Sequence, residues 1–305
     1  MRLSLAPIPY FWPAERVRAF YEQAAGWPVD VVCLGETVCG KRLALGLEDW
    51  LEIGARLEAA GKSVVLATQA LIEAESELAR MERLCRNGRF LVEANDLGAV
   101  HTLAEVGVPF VAGPHLNVYN AATLALIAGL GARRWVPPVE LPGRVLARVL
   151  EGRPEGLEVE VTAYGRLALA FSARCFTARA DNVPKDACGL RCREDPEGRL
   201  METQDGRPLF VANGVQIQSA APCNLAGELE TLRAMGVDLL RVVPDASTTE
   251  AAVAILAEAV SGRRDPADAA EALAALRSGI GACNGYWHGG AGLEWRAALP
   301  ASSGP

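Results

Sequence analysis

Histidine is scarce in this 305-residue sequence: there are three, His101, His115 and His288. None stands beside a cysteine that could serve as a nucleophile, so a thiol protease would lack its activating imidazole. The local signatures of a zincin (H-E-x-x-H) and of a serine hydrolase (G-x-S-x-G) are missing. So are a P-loop and a G-x-G-x-x-G at the first strand–helix turn, which removes the main support for a nucleotide-binding sheet. No apolar run is long enough to cross a bilayer. The opening MRLSLAPIPYFWPAERVRAF is too interrupted to read as a signal peptide. Basic residues are outnumbered, 30 Lys and Arg against 37 Asp and Glu, and the net charge of -7 argues against a broad nucleic-acid surface. The expectation is a cytoplasmic protein with no transmembrane segment and no nucleic-acid partner.

Apolar residues are plentiful: they make up half of the chain, enough for a well-buried core. Short β-branched runs at 3–8, 31–34, 64–67, 90–93, 109–112, 134–136, 157–161 and 237–243 read as strands. Helical patterns at 13–25, 49–60, 73–86, 97–106 and 121–130 separate the early ones. After 165 the rhythm breaks. The stretch from about 174 to 207 is rich in Cys, Arg, Asp, Pro and Gly and reads as a functional excursion. Alternation then resumes, with a strand or hairpin arm at 210–217 and helices at 225–235, 248–260 and 265–277. Eight βα units predict a (βα)8 TIM-like barrel, with an open doubly wound sheet as the alternative. The expected organisation is a single α/β barrel domain over 1–305. It carries an irregular Cys-rich insertion after the seventh strand and a flexible tail at about 295–305.

Eight cysteines in a cytoplasmic chain point away from disulfides and toward core thiols, catalysis or metal. Cys33 lies in an apolar strand and Cys85 on a helical stripe, so both read as core thiols. Cys175, Cys188 and Cys192 fall in the excursion, the last two spaced C-x3-C. A sulfur site needs a fourth ligand. Cys39 in GETVCGKR follows the strand 31–34 and should emerge on the C-terminal face, where barrel active sites are built; Cys175 should meet it there. Cys283 is the substitute, and Cys223 reads as a loop thiol with no partner. Arg42, Arg174 and Arg191 are close enough in sequence to offset thiolate charge. Spacing alone leaves zinc and iron–sulfur both open.

The segment EVTAYGRLALAFSARCFTAR resembles the signature of the collagenase-like peptidase family, E-x-x-x-H-G followed by Y-S-G-x-C. Glu160, Gly165, Ser172 and Cys175 match it. Tyr164 stands in place of the histidine, Phe171 of the tyrosine and Ala173 of the glycine, and Ala168 sits where the family often has another cysteine. YFWPAE, GETVCGKR, FLVEANDLGAV, PFVAGPHLNVYNA, WVPPVEL, PKDAC and CNGYWHGGAGLE are similar to segments of one branch, the iron–sulfur proteins of ubiquinone biosynthesis. That resemblance spans about 4–294. It implies a [4Fe–4S] cluster on Cys39, Cys175, Cys188 and Cys192. It further implies a heterodimer with a homologous cluster protein, and oxygen-independent hydroxylation of a ubiquinone-precursor ring with prephenate as oxygen donor. Peptidase activity is not expected, because the signature histidine is replaced.

Other residues are open to two readings. Glu36, three positions before Cys39, is a candidate acid/base or a loop carboxylate that caps a turn or pairs with Lys41 or Arg42. Glu160, within a strand, is a candidate catalytic group or half of an internal salt bridge. His115, Asn117, Tyr119 and Asn120 form a loop suited to a ring substrate, with Asn117 and Tyr119 the candidate contacts and Asn120 the expected cap of the next helix. His101 reads as structural. The functional alternative to a hydroxylase subunit is a non-catalytic partner whose metal staples the excursion.

Overall fold

The computed structural model describes residues 1–296; beyond 296 the expected flexible tail lies outside the described residues. Seven parallel strands come first: β1 (Arg2–Leu5), β2 (Val31–Leu34), β3 (Ser63–Ala67), β4 (Leu91–Ala94), β5 (Phe110–Ala112), β6 (Ala132–Trp135) and β7 (Glu158–Phe171). The eighth barrel strand, β11 (Leu239–Val242), closes the cylinder by pairing with β1 on one side and β7 on the other. The barrel expected from the alternation is therefore present. Its strands are short apolar runs buried on both faces, as parallel strands between a shell and an interior must be.

The helical shell follows from amphipathic spacing and caps. α1 (Ala14–Ala24) starts after Pro13 and turns Val17, Tyr21 and Ala24 inward. α2 (Leu47–Ala59) and α3 (Glu75–Cys85) carry acidic residues in their first turns, on the favourable side of the dipole. α4 (Leu97–Glu105) is capped by Asp96 and α5 (Ala121–Gly129) by Asn120, whose side chain accepts the Thr123 amide at 2.8 Å. α6 (Gly143–Leu150) has no counterpart in the sequence reading: Pro137, Pro138 and Pro142 mask its start.

Two departures shape the site. β7 does not end near 161 but runs on to Phe171, rising out of the barrel and leading into the short α7 (Phe176–Ala180). Its upper half leaves β11 and pairs antiparallel with β10 (Gln216–Asn224), which continues through β9 (Pro208–Asn213) to β8 (Arg199–Glu202). The excursion is thus partly ordered into sheet, and the arm expected at 210–217 is the tip of a hairpin. Gly214 has φ +67° there, at the first position of a two-residue turn that favours glycine. The chain then passes α8 (Leu229–Ala234), α9 (Thr249–Val260) and α10 (Pro266–Ala275). No helix among the described residues is long and apolar enough to cross a membrane.

The core has two parts. The larger lies between strands and helices, around Leu5, Leu34, Leu66, Phe110 and Trp135. The smaller fills the barrel axis with Val31, Cys33, Val65, Val111, Val136 and Leu239. Beside this apolar plug sits a fully buried ionic layer. Arg241 bonds Glu93 at 2.6 and 3.1 Å and Glu160 at 2.9 Å; Arg134 reaches Glu160 at 3.3 Å. Ser4 donates to Glu160 at 2.7 Å and Asn95 to Glu93 at 3.1 Å. Two carboxylates face two guanidiniums, so the desolvation cost of several kcal/mol per ion is met by charge-assisted bonds on every group.

Candidate functional site

β2 delivers the loop that carries Cys39. The Glu36 carboxylate accepts the Val38 and Cys39 amides at 2.8 and 3.0 Å, a turn that fixes the cysteine's backbone. Burial raises the Glu36 pKa, and Arg42 beside it pulls in the other direction. Cys175 caps α7, its sulfur accepting the Ala178 amide at 3.4 Å. The hairpin tip grips this short helix: the Phe176 amide donates to the Gly214 carbonyl at 2.8 Å, and Thr177 Oγ1 accepts the Gly214 amide at 3.0 Å. Cys188 closes a 3-10 turn (Lys185–Ala187), and Cys192 sits in the next one (Arg191–Arg193).

Three of these thiols pack about one small apolar cluster. Cys175, Val38, Ala178 and Val215 form a small buried cluster, against which Cys39, Cys188, Val183 and Phe171 pack. Cys192 lies near Cys175 and near Arg42. Arg42 is itself buried, donating to the Pro9 carbonyl at 2.9 Å and to Asn213 Oδ1 at 2.8 Å. Burial pushes the Cys39 and Cys192 thiols up, Arg42 opposes that shift, and the arginine is held charged by Glu36 and the two sulfurs. Of the three arginines expected around the thiols, Arg42 alone is placed so. Arg174 is exposed, and Arg191 turns to Asp181 at 3.8 Å. Among the described residues no three His, Cys, Asp or Glu groups are close enough to share one metal ion.

Cys283 does not join this group. It is a free thiol, fully buried in the main core; its backbone pairs in a short parallel β-bridge with that of Cys223, and its sulfur lies 3.5 Å from the Ala221 carbonyl. Cys223, expected in an accessible loop, is a buried residue of β10. His101 is exposed on α4 with Glu105 at 3.4 Å, and His288 faces Glu228 at 3.3 Å.

Next to the thiols a cavity of about 290 Å³ opens at the barrel mouth. The loop after β5 supplies Pro114, His115 and Asn117, the loop after β6 supplies Glu140, and β7 supplies Ala168 to Phe171. Phe171 meets the His115 ring edge to face at 4.7 Å, so one aromatic side chain walls both the thiol cluster and this cavity. Asn117 reaches it from a left-handed backbone, φ +57°. Tyr119 does not line the cavity; its hydroxyl binds Glu140, which does. Glu160 is fully buried in the ionic layer as an internal salt bridge. Its partners Glu93, Arg134 and Arg241 were not singled out from sequence. The available signal was one charged residue inside each of the otherwise apolar β4 and β11; β6 carries two arginines, of which Arg133 is exposed.

Burial and the Arg241 charge push the His115 pKa down to about 3, so its ring is neutral at ordinary pH. The unfolded chain takes up this proton below ~6.5 while the folded chain refuses it. Stability attributable to His115 is thus complete above ~6.5 and falls as pH drops toward 3. His115→Gln is expected to flatten that slope by up to about 1.4 kcal/mol per pH unit. Denaturant titrations of both proteins between pH 7 and pH ~4.5 check this; parallel slopes would refute it.

Comparison with known proteins gives the family. The family model described as peptidase family U32 matches residues 13–272. The chain belongs to peptidase family U32. Among curated proteins it is 26% identical over 143 residues to the tRNA hydroxylation protein P of Helicobacter pylori strain J99. That match covers 44% of this chain but only 34% of the relative's length. Among solved structures, the U32 peptidase Mk0906 aligns with a TM-score of 0.46 at 12% identity, over 81% of this chain and 94% of that one. A dihydropteroate synthase from Thermus thermophilus gives 0.44 at 15%, over 86% and 93%. Within the U32 signature, Tyr164 occupies the histidine position as a buried side chain whose hydroxyl lies 3.5 Å from the Leu273 carbonyl. Burial raises its pKa. The neighbouring Gly165 has φ +112° and marks the point where β7 leaves β11.

Proposed function

We propose that this U32 protein is a [4Fe–4S] protein of the UbiV type. It acts in oxygen-independent ubiquinone biosynthesis, in a heterodimer with a homologous cluster protein of the UbiU type. The complex hydroxylates the ring of a ubiquinone precursor, with prephenate as the oxygen donor, in the cytoplasm. The observation that supports this reading is that Cys39, Cys175 and Cys188 pack about one small apolar cluster, with Cys192 near Cys175, beside a ring-sized cleft that shares Phe171 with that cluster. An all-thiol donor set without imidazole or carboxylate suits an iron–sulfur cluster, in which each thiolate takes its own iron. The name of the Helicobacter relative adds that a matching protein serves in a hydroxylation.

Bound there, a cluster would supply redox chemistry tuned by nearby charge and hydrogen bonds. The chain's own residues do the rest. Glu36 holds the Cys39 backbone, and Arg42 offsets thiolate charge. Phe171 and neutral His115 give a ring an aromatic wall. Asn117 and Glu140 provide polar contacts at the rim. Glu160 serves by holding β7 rigid below the mouth.

Iron, acid-labile sulfide and zinc content of anaerobically purified protein tests this directly. Iron and sulfide in equal amounts are expected, lost on Cys→Ala change at 39, 175, 188 or 192 and retained in Cys283→Ala. Zinc alone would move the assignment to the metal-stapled structural partner. Absence of any metal would end the cluster reading.

A further inference from the structure

A second cavity lies behind the Cys39 loop, closed by the start of α2, the end of β3 and one face of α3, with a volume of about 150 Å³. Its walls are apolar, with Leu45, Trp50, Met81 and Leu84 prominent. An apolar cavity of roughly this volume accepts a benzene ring. Its polar groups are unusual for so apolar a space. Gln69 is nine-tenths buried, lines the cavity, and its Nε2 has no hydrogen-bond partner. A buried unpartnered amide donor is costly enough that folded proteins rarely keep one. Arg42, also lining, leaves Nε unpartnered.

Charge points the same way. Arg42, Arg80 and Arg83 line the cavity against the single carboxylate of Glu36. Arg80 donates to the Gly40 carbonyl at 3.0 Å, and among the described residues neither Arg80 nor Arg83 has a carboxylate within ion-pair reach. A small hydrated anion would leave the apolar walls unused, and a neutral hydrocarbon would leave the donors unpaired. From this we infer that the cavity binds a single-ring aromatic carboxylate, its ring against Trp50 and Leu84, its acid oxygens taken by an arginine and by the Gln69 amide, whose now enclosed Nε2 turns toward the ligand.

This site is separate from the cleft at His115: Gln69 faces one space and its neighbour Ala70 the other, with the Ala70 amide tied to the Thr37 carbonyl at 3.0 Å between them. The inference therefore goes beyond the hydroxylase reading and does not require the cluster.

Benzoate is the probe, titrated into the full chain as isolated and followed by calorimetry and ligand-observed NMR. Acetate and benzyl alcohol are the controls. Saturable one-to-one binding is expected, at least about tenfold tighter than for benzyl alcohol and absent for acetate. Gln69→Met should weaken it about tenfold, and Leu84→Trp, which fills the space, should abolish it. Gln69→Met removes an unpartnered buried amide, so its melting temperature should match or exceed that of the parent; weaker binding then cannot be blamed on unfolding. Equal affinity for benzyl alcohol would overturn the carboxylate. Benzoate binding that survives Leu84→Trp but is lost in His115→Gln would place the ligand in the other cleft and overturn the site. Binding retained in metal-free Cys188→Ala keeps this inference whatever becomes of the cluster.

Discussion

Arg241→Met is expected to cost about 3–5 kcal/mol of folding stability, the scale for removing one partner from a buried ion pair. Arg241 is the hub of the ionic layer: among the described residues it alone joins Glu93 on β4 to Glu160 on β7, across the barrel interior. Methionine fills much of the volume but leaves Glu93 with only Asn95, and Glu160 with Arg134 and Ser4. Two buried carboxylates would then share too few donors. Arg241→Lys keeps the charge but not the fork that serves both acids, so an intermediate loss is expected. Denaturant unfolding of both variants measures the difference. A loss below about 1 kcal/mol for the methionine variant would mean that the layer is not paired as described. The same variant should raise the His115 pKa, since the Arg241 charge helps hold it down.

Gly165→Ala is the second large effect. At φ +112° an L-residue is strained by about 1–3 kcal/mol before any collision. A Cβ there would also lie 2.6 Å from the Val243 carbonyl oxygen and 2.7 Å from the Val243 Cβ, neither of which can move without disturbing β11's exit. A total loss of about 3 kcal/mol or more is expected. The damage should also travel upward, because the strand that Gly165 releases carries Phe171 and leads to Cys175. The unfolding midpoint is expected to fall and, under the proposed cluster reading, the iron content with it. Normal stability with normal metal content would show that the crossing is looser than the geometry here.

The barrel was legible because its strands are short apolar runs separated by capped amphipathic helices, and each βα unit declares itself locally. Asn120 as a cap is such a local feature. The ascent of β7 was not legible, since Ala168 to Phe171 pair with a strand whose sequence lies far downstream. Local pattern cannot announce a change from parallel to antiparallel neighbours. The same limit hid the ionic layer: Arg241 and Glu93 are separated by 148 positions, and only folding shows that they meet. The cysteines were more readable, because barrel topology sends every loop after a strand to one face. Burial was harder to foresee, as Cys223 in its strand shows.

Closure of the barrel also sets a timetable. β1 at residues 2–5 has its second neighbour only when 239–242 arrive. At ~5–20 residues per second, synthesis leaves that edge waiting roughly 10–50 s. For that interval β1 presents an unpaired parallel edge, joined in its last part by β7, and such edges are the surfaces most prone to join a neighbouring chain. Cys39 waits for a shorter time: Cys192 follows it by 153 positions, so the four thiols are all made roughly 8–30 s after Cys39, before the barrel can close. Yield in the cell should therefore depend on chaperone supply more than on the stability of the finished barrel.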